Sequence, residues 1–381
     1  MRFNILIADD YDLNRNLIRL ILEKKIQDIS IFEAEDGNEV LDIIHNINID
    51  LVILDLVMPG KNGFQVLEEM KSNNLYSSIP VIVNSSLDDM ENVQKALEIG
   101  ALDYFTKPLT NDDIAIKLPL KTINALEYHR QKKALIKMNS QMSEELRIAN
   151  LFQSSLMSER KFMQSADMYG RYIPCGKLGG DFFDCEQIGG RIWFIIADVC
   201  GHGVTAAMLS SMIKIAFNNS ISNLSTPEEV MTRINGLFCN ILGDDNHFFF
   251  SNFIGVIKDG VLSYTNAGHY SPIIINHNAG SSELLPESSL LAGIDKNTVY
   301  KSRSVPVKKG DCIISYTDGL FENYPDTLDK GWESINDYCI KNSGIIASDP
   351  ETFIDMIISQ FAEPVSGTCK DDVTLMLVYI K

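Results

Sequence analysis

The sequence has little of what membrane-spanning, secreted or nucleic-acid-binding proteins usually carry. It contains no run of about 18 uncharged apolar residues, so we expect no membrane-spanning helix. Its seven cysteines are odd in number and show no Cys-x-x-Cys spacing, which favours reduced thiols in the cytoplasm. Only 33 residues are lysine or arginine, against 51 acidic ones, and the net charge of −18 argues against binding to nucleic acid.

The length and composition indicate a folded protein with more than one core. The 381 residues exceed the usual size of one domain, and 45% of them are hydrophobic while 22% are charged. Asp9 and Asp10 come directly after a short apolar run, which is typical of a first strand and not of a signal peptide. We predict a first domain over 1–117, a helical linker over 118–160 and a second domain over 161–381.

Short apolar runs alternate with amphipathic segments through the first domain. Five βα units of this kind predict an α/β fold with a doubly wound, five-stranded parallel sheet. The apolar runs cover residues 4–8, 29–34, 51–54, 81–83 and 103–106. In such a sheet the reactive crevice lies at the carboxyl ends of the strands.

Residues with related chemistry follow four of these five runs, and we expect them to meet at that crevice. Asp9 and Asp10 could hold Mg²⁺, with Asp55 beside them as a carboxylate nucleophile able to form an acyl phosphate. Ser85 and Lys107 would donate hydrogen bonds to the new phosphoryl oxygens.

This segment resembles the receiver domain of bacterial response regulators. The resemblance implies that Asp55 accepts a phosphoryl group from a sensor histidine kinase or a phosphotransfer protein. It also implies that Tyr104 is an aromatic switch that turns inward when Ser85 moves. The matching motifs are Asp9-Asp10, Asp55 with Met58-Pro59-Gly60, Asn84-Ser85-Ser86, and Tyr104-Phe105-Thr106-Lys107-Pro108.

The second domain combines strand-like runs, glycine-rich turns and pairs of helical segments. This order predicts an α+β sandwich of antiparallel sheets flanked by helices. Four acids follow or end strand-like runs, namely Asp184, Asp198, Asp318 and Asp371. Acids brought together repel one another unless hard cations hold them, and oxygen ligands select Mg²⁺ or Mn²⁺. The pattern therefore predicts metal-assisted hydrolysis of a phosphate ester.

These motifs resemble the metal-dependent protein phosphatases, in particular the SpoIIE/RsbU-like branch related to protein phosphatase 2C. The resemblance implies two Mn²⁺ or Mg²⁺ ions, with Asp184 and Asp198 bridging or flanking them and the Val199 carbonyl as a further ligand. Asp318 and Asp371 would complete the site. The matching motifs are Gly179-Gly180-Asp181-Phe182-Phe183-Asp184, Asp198-Val199-Cys200-Gly201-His202-Gly203, Asn266-Ala267-Gly268-His269, Tyr316-Thr317-Asp318-Gly319 and Asp371-Asp372-Val373-Thr374.

Two other readings compete for individual residues. Cys185 and Arg191 have the bare spacing of cysteine-dependent phosphatases, but Glu186 would place negative charge inside the phosphate cradle. We therefore interpret Cys185 as a strand residue. His202 and His269 lie in glycine-rich turns, where they could act as acids, orient phosphate or serve only the structure.

The linker shows a heptad pattern with two structural interpretations. Its seven positions are Leu135, Asn139, Met142, Leu146, Ala149, Gln153 and Leu156. They fit either a parallel coiled coil that makes a homodimer or an amphipathic helix packed on its own domain. Pro119 should end or kink the preceding helix, which makes 117–120 a candidate hinge.

The sequence thus predicts a response regulator whose output is a metal-dependent protein serine/threonine phosphatase. The family resemblance implies that its substrate is a phosphorylated anti-anti-sigma (STAS) protein. The alternative is a pseudo-phosphatase scaffold that sequesters a partner according to receiver phosphorylation. An intact set of mutually repelling acids favours the enzyme, because a scaffold has no need of them.

Overall fold

The structure of the protein is a computed structural model that describes residues 2–86, 90–243, 248–276, 281–320, 331–362 and 371–381. The chain divides into two units, Met1–Met142 and Ser143–Lys381. The three-part division at residues 117 and 160 stays a prediction.

Strands and helices alternate in the first unit, and its five strands form one parallel sheet in the order β2-β1-β3-β4-β5. The doubly wound sheet predicted from the sequence is therefore confirmed. The elements are β1 (Phe3–Ala8), α1 (Asp12–Lys25), β2 (Ile29–Ala34), α2 (Gly37–Asn46), β3 (Leu51–Asp55), α3 (Gly63–Ser72), β4 (Val81–Ser86), α4 (Met90–Ile99) and β5 (Asp103–Lys107).

The central strands of this sheet are buried on both faces, as continuous apolar runs require. Leu6 and Val52 pack with the helices of one layer, whereas Ile5 and Ile53, one residue away on each strand, pack on the opposite face. The polar residues that follow these runs are therefore left at the carboxyl edge of the sheet.

A 39-residue helix, α5 (Leu118–Leu156), follows a π-helical turn over Asp113–Lys117. Pro119 is the second residue of α5, which directly follows the π-helical turn, and the helix continues past it without a break. Ala125 and Leu126 belong to the core of the first unit. No helix among the described residues combines the length and apolar character needed to cross a membrane.

The predicted heptad seam divides into two halves with different surroundings. Leu135 and Met142 are 58% and 60% exposed, so the first half is available to a partner. Gln153 is 4% exposed, and its Nε2 donates to Gly179 O at 2.7 Å within the second unit. The second half therefore follows the alternative interpretation, an amphipathic helix packed on its own domain, and homodimer formation through the first half stays a prediction.

The second unit contains two antiparallel sheets, in the orders β14-β11-β10-β9-β8 and β13-β12-β15-β16-β7-β6. Their strands are β6 (Arg160–Phe162), β7 (Ala166–Ile173), β8 (Phe182–Ile188), β9 (Arg191–Val199), β10 (Phe250–Lys258), β11 (Val261–Ala267), β12 (Ile273–Asn276), β13 (Ser281–Leu284), β14 (Arg303–Pro306), β15 (Cys312–Tyr316) and β16 (Val373–Ile380). The helices are α6 (Val204–Ile221), α7 (Pro227–Leu242), α8 (Gly331–Asn342) and α9 (Pro350–Phe361).

Alternation along each strand builds a four-layer arrangement. On β9, Ile192, Phe194 and Ile196 belong to the core between the sheets, whereas Trp193 and Ile195 pack with residues of α6 and α7. A separate core joins the second sheet to α8 and α9. The predicted sandwich of antiparallel sheets flanked by helices is confirmed. The acidic motifs lie at one edge of this sandwich.

Candidate functional site

The carboxyl edge of the parallel sheet gathers three aspartates and a lysine. Carboxylate oxygens of Asp9, Asp10 and Asp55 lie within 4.8 Å of one another. Lys107 Nζ lies 2.5 Å from Asp55 Oδ2 and 2.9 Å from Asp9 Oδ2. Asp9 and Asp55 are buried, whereas Asp10 is exposed to solvent. The set offers oxygen ligands to one hard cation from the solvent side.

The electrostatics of this cluster also fit a cation. Burial raises the pKa of Asp55, and the hydrogen bond and charge of Lys107 offset part of that rise. A divalent cation beside Asp55 would favour its ionised form further, and an ionised carboxylate is the nucleophilic form. The cluster can therefore present a reactive carboxylate to a phosphoryl donor.

Of the two predicted switch residues, Tyr104 is described, whereas the side chain of Ser85 lies outside the described residues. Tyr104 is half-buried on β5, and its carbonyl accepts a hydrogen bond of 2.8 Å from Lys121 Nζ of α5. The same Nζ lies 5.0 Å from the centroid of the Tyr104 ring. Tyr104 thus contacts the first turn of α5, and its switching role stays a prediction.

In the second unit, acids from both sheets meet at one edge of the sandwich. Asp198 is on β9 of the first sheet, where Ser251 of β10 is its cross-strand partner. Asp318 follows β15 in a 3₁₀ turn, and Asp371 precedes β16, the neighbour of β15. The negative charges of Asp318 and Asp371 act on Asp198, so the three carboxylates are electrostatic neighbours.

One predicted metal ligand, Asp184, does not lie among these acids in the structure. Asp184 was expected among the metal ligands, but its Oδ1 accepts from Lys161 Nζ at 2.6 Å and its Oδ2 from Lys214 Nζ at 2.8 Å. Asp184 is fully buried, and two lysines already compensate its charge. Asp181 joins the acids instead, because it hydrogen-bonds with Asp198.

Strand periodicity explains why Asp181, and not Asp184, lies beside Asp198. Phe182 pairs with Ala197, so the preceding Asp181 lies next to Asp198, whereas Asp184 pairs with Ile195. Residues three apart on a strand point to opposite faces. Asp181 therefore lies towards the space between the sheets, and Asp184 lies towards α6, which carries Lys214.

The carboxylates around Asp198 and Asp181 repel one another. Burial and the charges of Asp318, Asp371 and Asp372 raise the pKa of Asp198 to about 7. Burial and the charge of Asp198 likewise raise the pKa of Asp181. Divalent cations would relieve this repulsion, and carboxylates with a backbone carbonyl are their usual ligands. The donor set therefore fits Mg²⁺ or Mn²⁺.

Asp372 organises the loop that carries Asp181. Its Oδ1 accepts from Cys175 N at 2.8 Å and its Oδ2 from Gly180 N at 2.6 Å. A Cβ on Gly179 would lie 1.9 Å from Asp372 Oδ2, and a Cβ on Gly180 would lie 2.6 Å from Val199 O. Only glycine fits at both positions, so the pair brings this loop against the predicted carbonyl ligand.

The two motif histidines differ in surroundings. His269 is buried, and its Nδ1 lies 2.7 Å from Ser251 Oγ while its backbone N donates to Asn266 Oδ1 at 2.8 Å. Burial lowers the pKa of His269 to about 3, so it is neutral and supports the strand beside Asp198. His202 is exposed in the turn before α6.

Cys185 has no access to a substrate. The thiol is fully buried on β8, and its Sγ lies 3.7 Å from Met163 Sδ. Burial raises the pKa of this thiol well above its ordinary value. Because the thiolate is the nucleophilic form, the geometry agrees with the interpretation of Cys185 as a strand residue.

Comparison with known families agrees with this two-part architecture. Residues 188–381 match the family model of stage II sporulation protein E (SpoIIE), and residues 5–118 match the response regulator receiver domain. The first match begins after Asp181 and Asp184, so the choice between these two acids depends on the geometry described above.

Two curated relatives each match about a third of this chain. Response regulator RR06 of Streptococcus pneumoniae is 37% identical over 123 residues, which are 32% of this chain and 52% of the relative. Sporulation initiation phosphotransferase F of Bacillus subtilis is 36% identical over 126 residues, which are 32% of this chain and 98% of the relative. The chain therefore spans about half the length of the first and nearly all of the second.

Two solved structures each cover more than half of this chain. The RsbU and RsbW domains of a Mycobacterium tuberculosis protein are 25% identical with a TM-score of 0.51, covering 59% of this chain and 63% of that one. The SiaA-PP2C domain of Pseudomonas aeruginosa has a TM-score of 0.53 at 15% identity, covering 64% of this chain and 98% of that one. The second likeness concerns the fold alone.

Proposed function

Because the chain belongs to the SpoIIE family and carries a response regulator receiver domain, we propose that it is a receiver-regulated, metal-dependent protein serine/threonine phosphatase. The observation that carries this proposal is the meeting of Asp181, Asp198, Asp318 and Asp371 at one edge of the sandwich. The raised pKa values of Asp181 and Asp198 mark a site at which divalent cations would relieve the repulsion between carboxylates.

Asp181, Asp198, Asp318, Asp371 and the Val199 carbonyl would hold two divalent ions. When bound, such ions supply a hydroxide nucleophile near neutral pH and neutralise charge on a phosphate ester. The chain's own contribution is rigid placement of the ligands through the Asp372 hydrogen bonds and the two close-packed glycines. Neutral His269 keeps the strand next to Asp198 in register.

In the receiver, Asp55 is the proposed phosphoacceptor. An ionised oxygen of Asp55 would attack the phosphorus of a phosphoryl donor, forming an acyl phosphate while the bond to the donor's leaving group breaks. Lys107, which already contacts Asp55 and Asp9, would stay beside the phosphoryl oxygens. Asp9 and Asp10 would hold Mg²⁺ at the exposed side of the cluster.

Regulation would pass along α5. Its last turns contact the loop that precedes Asp181 through the Gln153 hydrogen bond to Gly179, and Lys214 donates to the carbonyl of Leu156 as well as to Asp184. A change in the position of α5 would therefore act on Gly179, two residues before the proposed ligand Asp181, and on Lys214, which contacts Asp184. Two sites biased through one shared element are the requirement for allosteric coupling.

The proposed partners follow from membership of these families. A sensor histidine kinase or a phosphotransfer protein would load Asp55, and a phosphorylated anti-anti-sigma (STAS) protein would be the phosphatase substrate. A second copy of the chain would pair through Leu135 and Met142, whose side chains are exposed on α5.

Hydrolysis of p-nitrophenyl phosphate and of a phosphoserine STAS protein with and without Mn²⁺ tests the enzyme. We expect turnover that needs the metal and that survives thiol alkylation. A chain that binds Mn²⁺ and the STAS protein without hydrolysing it would instead support the scaffold alternative. For the receiver, acetyl phosphate with Mg²⁺ should label the wild type and leave Asp55→Asn unlabelled, and persistent labelling of that variant would exclude Asp55.

A further inference from the structure

Asp181 is held by two neutral hydroxyl groups. Its Oδ2 accepts from Thr374 Oγ1 at 2.6 Å and from Thr317 Oγ1 at 2.7 Å. Asp181 is 2% exposed and both threonines are fully buried. Neither threonine was singled out for a role in the sequence, and neither is a predicted metal ligand.

The two threonines come from neighbouring strands of the sheet opposite β8. Thr317 follows β15 and Thr374 is on β16, so the hydroxyls reach across the interior of the sandwich. They also fix each other, because Thr374 N donates to Thr317 Oγ1 at 3.0 Å and Thr317 N donates to Thr374 O at 3.0 Å. The side chain of Asp181 therefore meets a rigid pair of donors.

The type of donor matters as much as its position. Asp184, three residues away, is paired with two lysines, whose positive charges leave little electrostatic attraction for a cation. Hydroxyl donors orient a buried carboxylate without neutralising it. With Oδ2 occupied by both hydroxyls, Oδ1 is the oxygen of Asp181 that can turn towards a cation.

We infer that Thr317 and Thr374 are positioning residues that orient Asp181 as a metal ligand while preserving its charge. This inference rests on the proposed metal-dependent function and assigns no contact with the substrate. Groups that orient metal ligands in this way typically change metal affinity by about 10–100-fold when removed. Loss of either hydroxyl should therefore weaken cation binding and leave the fold in place.

Thr374→Val is the sharpest variant, because it keeps the side-chain shape and removes one donor to Asp181. Thr317→Val is the second variant, although it also removes the acceptor of Thr374 N. Thr374→Ser restores the hydroxyl. Thr265→Val is the matched control, because Thr265 is equally buried and its hydroxyl lies 3.1 Å from Ser302 Oγ.

Mn²⁺ binding to the full chain, measured by electron paramagnetic resonance, is the primary readout. Every protein carries Asp10→Asn so that Mn²⁺ binding at the receiver's acid cluster contributes little to the signal. We expect Thr374→Val to bind Mn²⁺ about 10–100-fold more weakly, with Thr374→Ser and Thr265→Val close to the parent. Melting of the metal-free proteins shows whether each variant is folded.

The outcomes separate the inference from the proposed function. Folded valine variants that bind Mn²⁺ as tightly as the parent overturn the inference, even if the parent hydrolyses phosphate esters. Weak binding by Thr374→Val in a chain that shows no hydrolysis supports the inference and overturns the phosphatase. A parent that binds no Mn²⁺ overturns both. Should Thr374→Val fail to fold, Thr317→Val is compared with Thr317→Ser, which keeps the hydroxyl that accepts from Thr374 N.

Discussion

The acid cluster of the receiver and that of the phosphatase unit use different means to hold buried aspartates together. In the receiver, Lys107 lies within 2.9 Å of both Asp9 and Asp55 and supplies a positive charge. In the phosphatase unit, hydroxyl groups hold Asp181 and backbone amides hold Asp372. Under the proposed function, these uncharged donors would hold the acids in place and leave their charge available for two cations.

The difference matches the two proposed reactions. A receiver aspartate gains a phosphoryl group and its added negative charge, so a resident lysine is useful both before and after the transfer. A hydrolytic site must attract cations strongly and return to the same state after each turnover. Burial and mutual repulsion raise the pKa values of Asp181 and Asp198, and a divalent cation would relieve that repulsion.

The largest expected effect separates the two clusters functionally. Asp198→Asn should lower phosphatase kcat/KM by roughly 10²–10³-fold, the range for loss of one preorganised electrostatic group. Labelling of Asp55 by acetyl phosphate should be unchanged in the same protein. Cys185→Ser is the control and should keep its turnover. Full activity in folded Asp198→Asn would contradict the assignment of the site.

Asp181 and Asp184 give the second comparison. Asp181→Asn should abolish most Mn²⁺ binding and leave the melting temperature of the metal-free protein unchanged or higher, because it relieves repulsion. Asp184→Asn should retain Mn²⁺ binding and lose about 3 kcal/mol of stability, because two partly exposed lysines lose their buried counter-charge. Calorimetry and Mn²⁺ titration distinguish them, and the reverse pattern would return Asp184 to the metal set.

The metal-free protein should show a pH dependence that originates in the phosphatase cluster. The pKa of Asp198 is about 7 in the folded chain, above the usual carboxyl range near 4, so folding favours its protonated form. Stability in EDTA should therefore fall as the pH rises from about 4 through 7. Asp198→Asn should flatten this slope. A melting temperature that is independent of pH over this range in both proteins would contradict the shift.

The smallest expected effect concerns the helix shared by the two units. Met142→Asp places a charge on the exposed half of the heptad seam and should weaken self-association, measured by sedimentation. Ile148→Asp is the control, because Ile148 is 56% exposed on α5 and lies outside the seam. If the two substitutions weaken self-association equally, or if neither does, the proposed coiled-coil dimer is wrong.

Sequence patterns predicted both folds because the apolar runs were long and their periods distinct. Unbroken apolar runs such as 51–54 are typical of strands buried on both faces, and the structure buries all five residues of the strand Leu51–Asp55. Residues at strand ends, including Asp55 and Lys107, were placed correctly because parallel strands share one carboxyl edge.

The choice between Asp181 and Asp184 required the register of β8, which motif matching did not supply. The signal was present in the alternation of the strand, since a three-residue spacing changes face. Gln153 illustrates the opposite case, because its polar side chain in a heptad core position gave no indication that it would bond to Gly179. Contacts across 26 residues or more depend on how the chain packs and escape local patterns.

The central place of β16 in its sheet has a consequence for how the protein is made. β16 lies between β15 and β7, and Asp372 contacts Cys175 across 197 residues of sequence. Contacts between such distant residues form late and slow the folding of a chain. Asp371, Asp372 and Thr374 all come with this strand, so a ribosome-bound chain that has not yet released β16 has no complete phosphatase centre. The proposed hydrolytic site would therefore be completed only after the receiver has had time to fold.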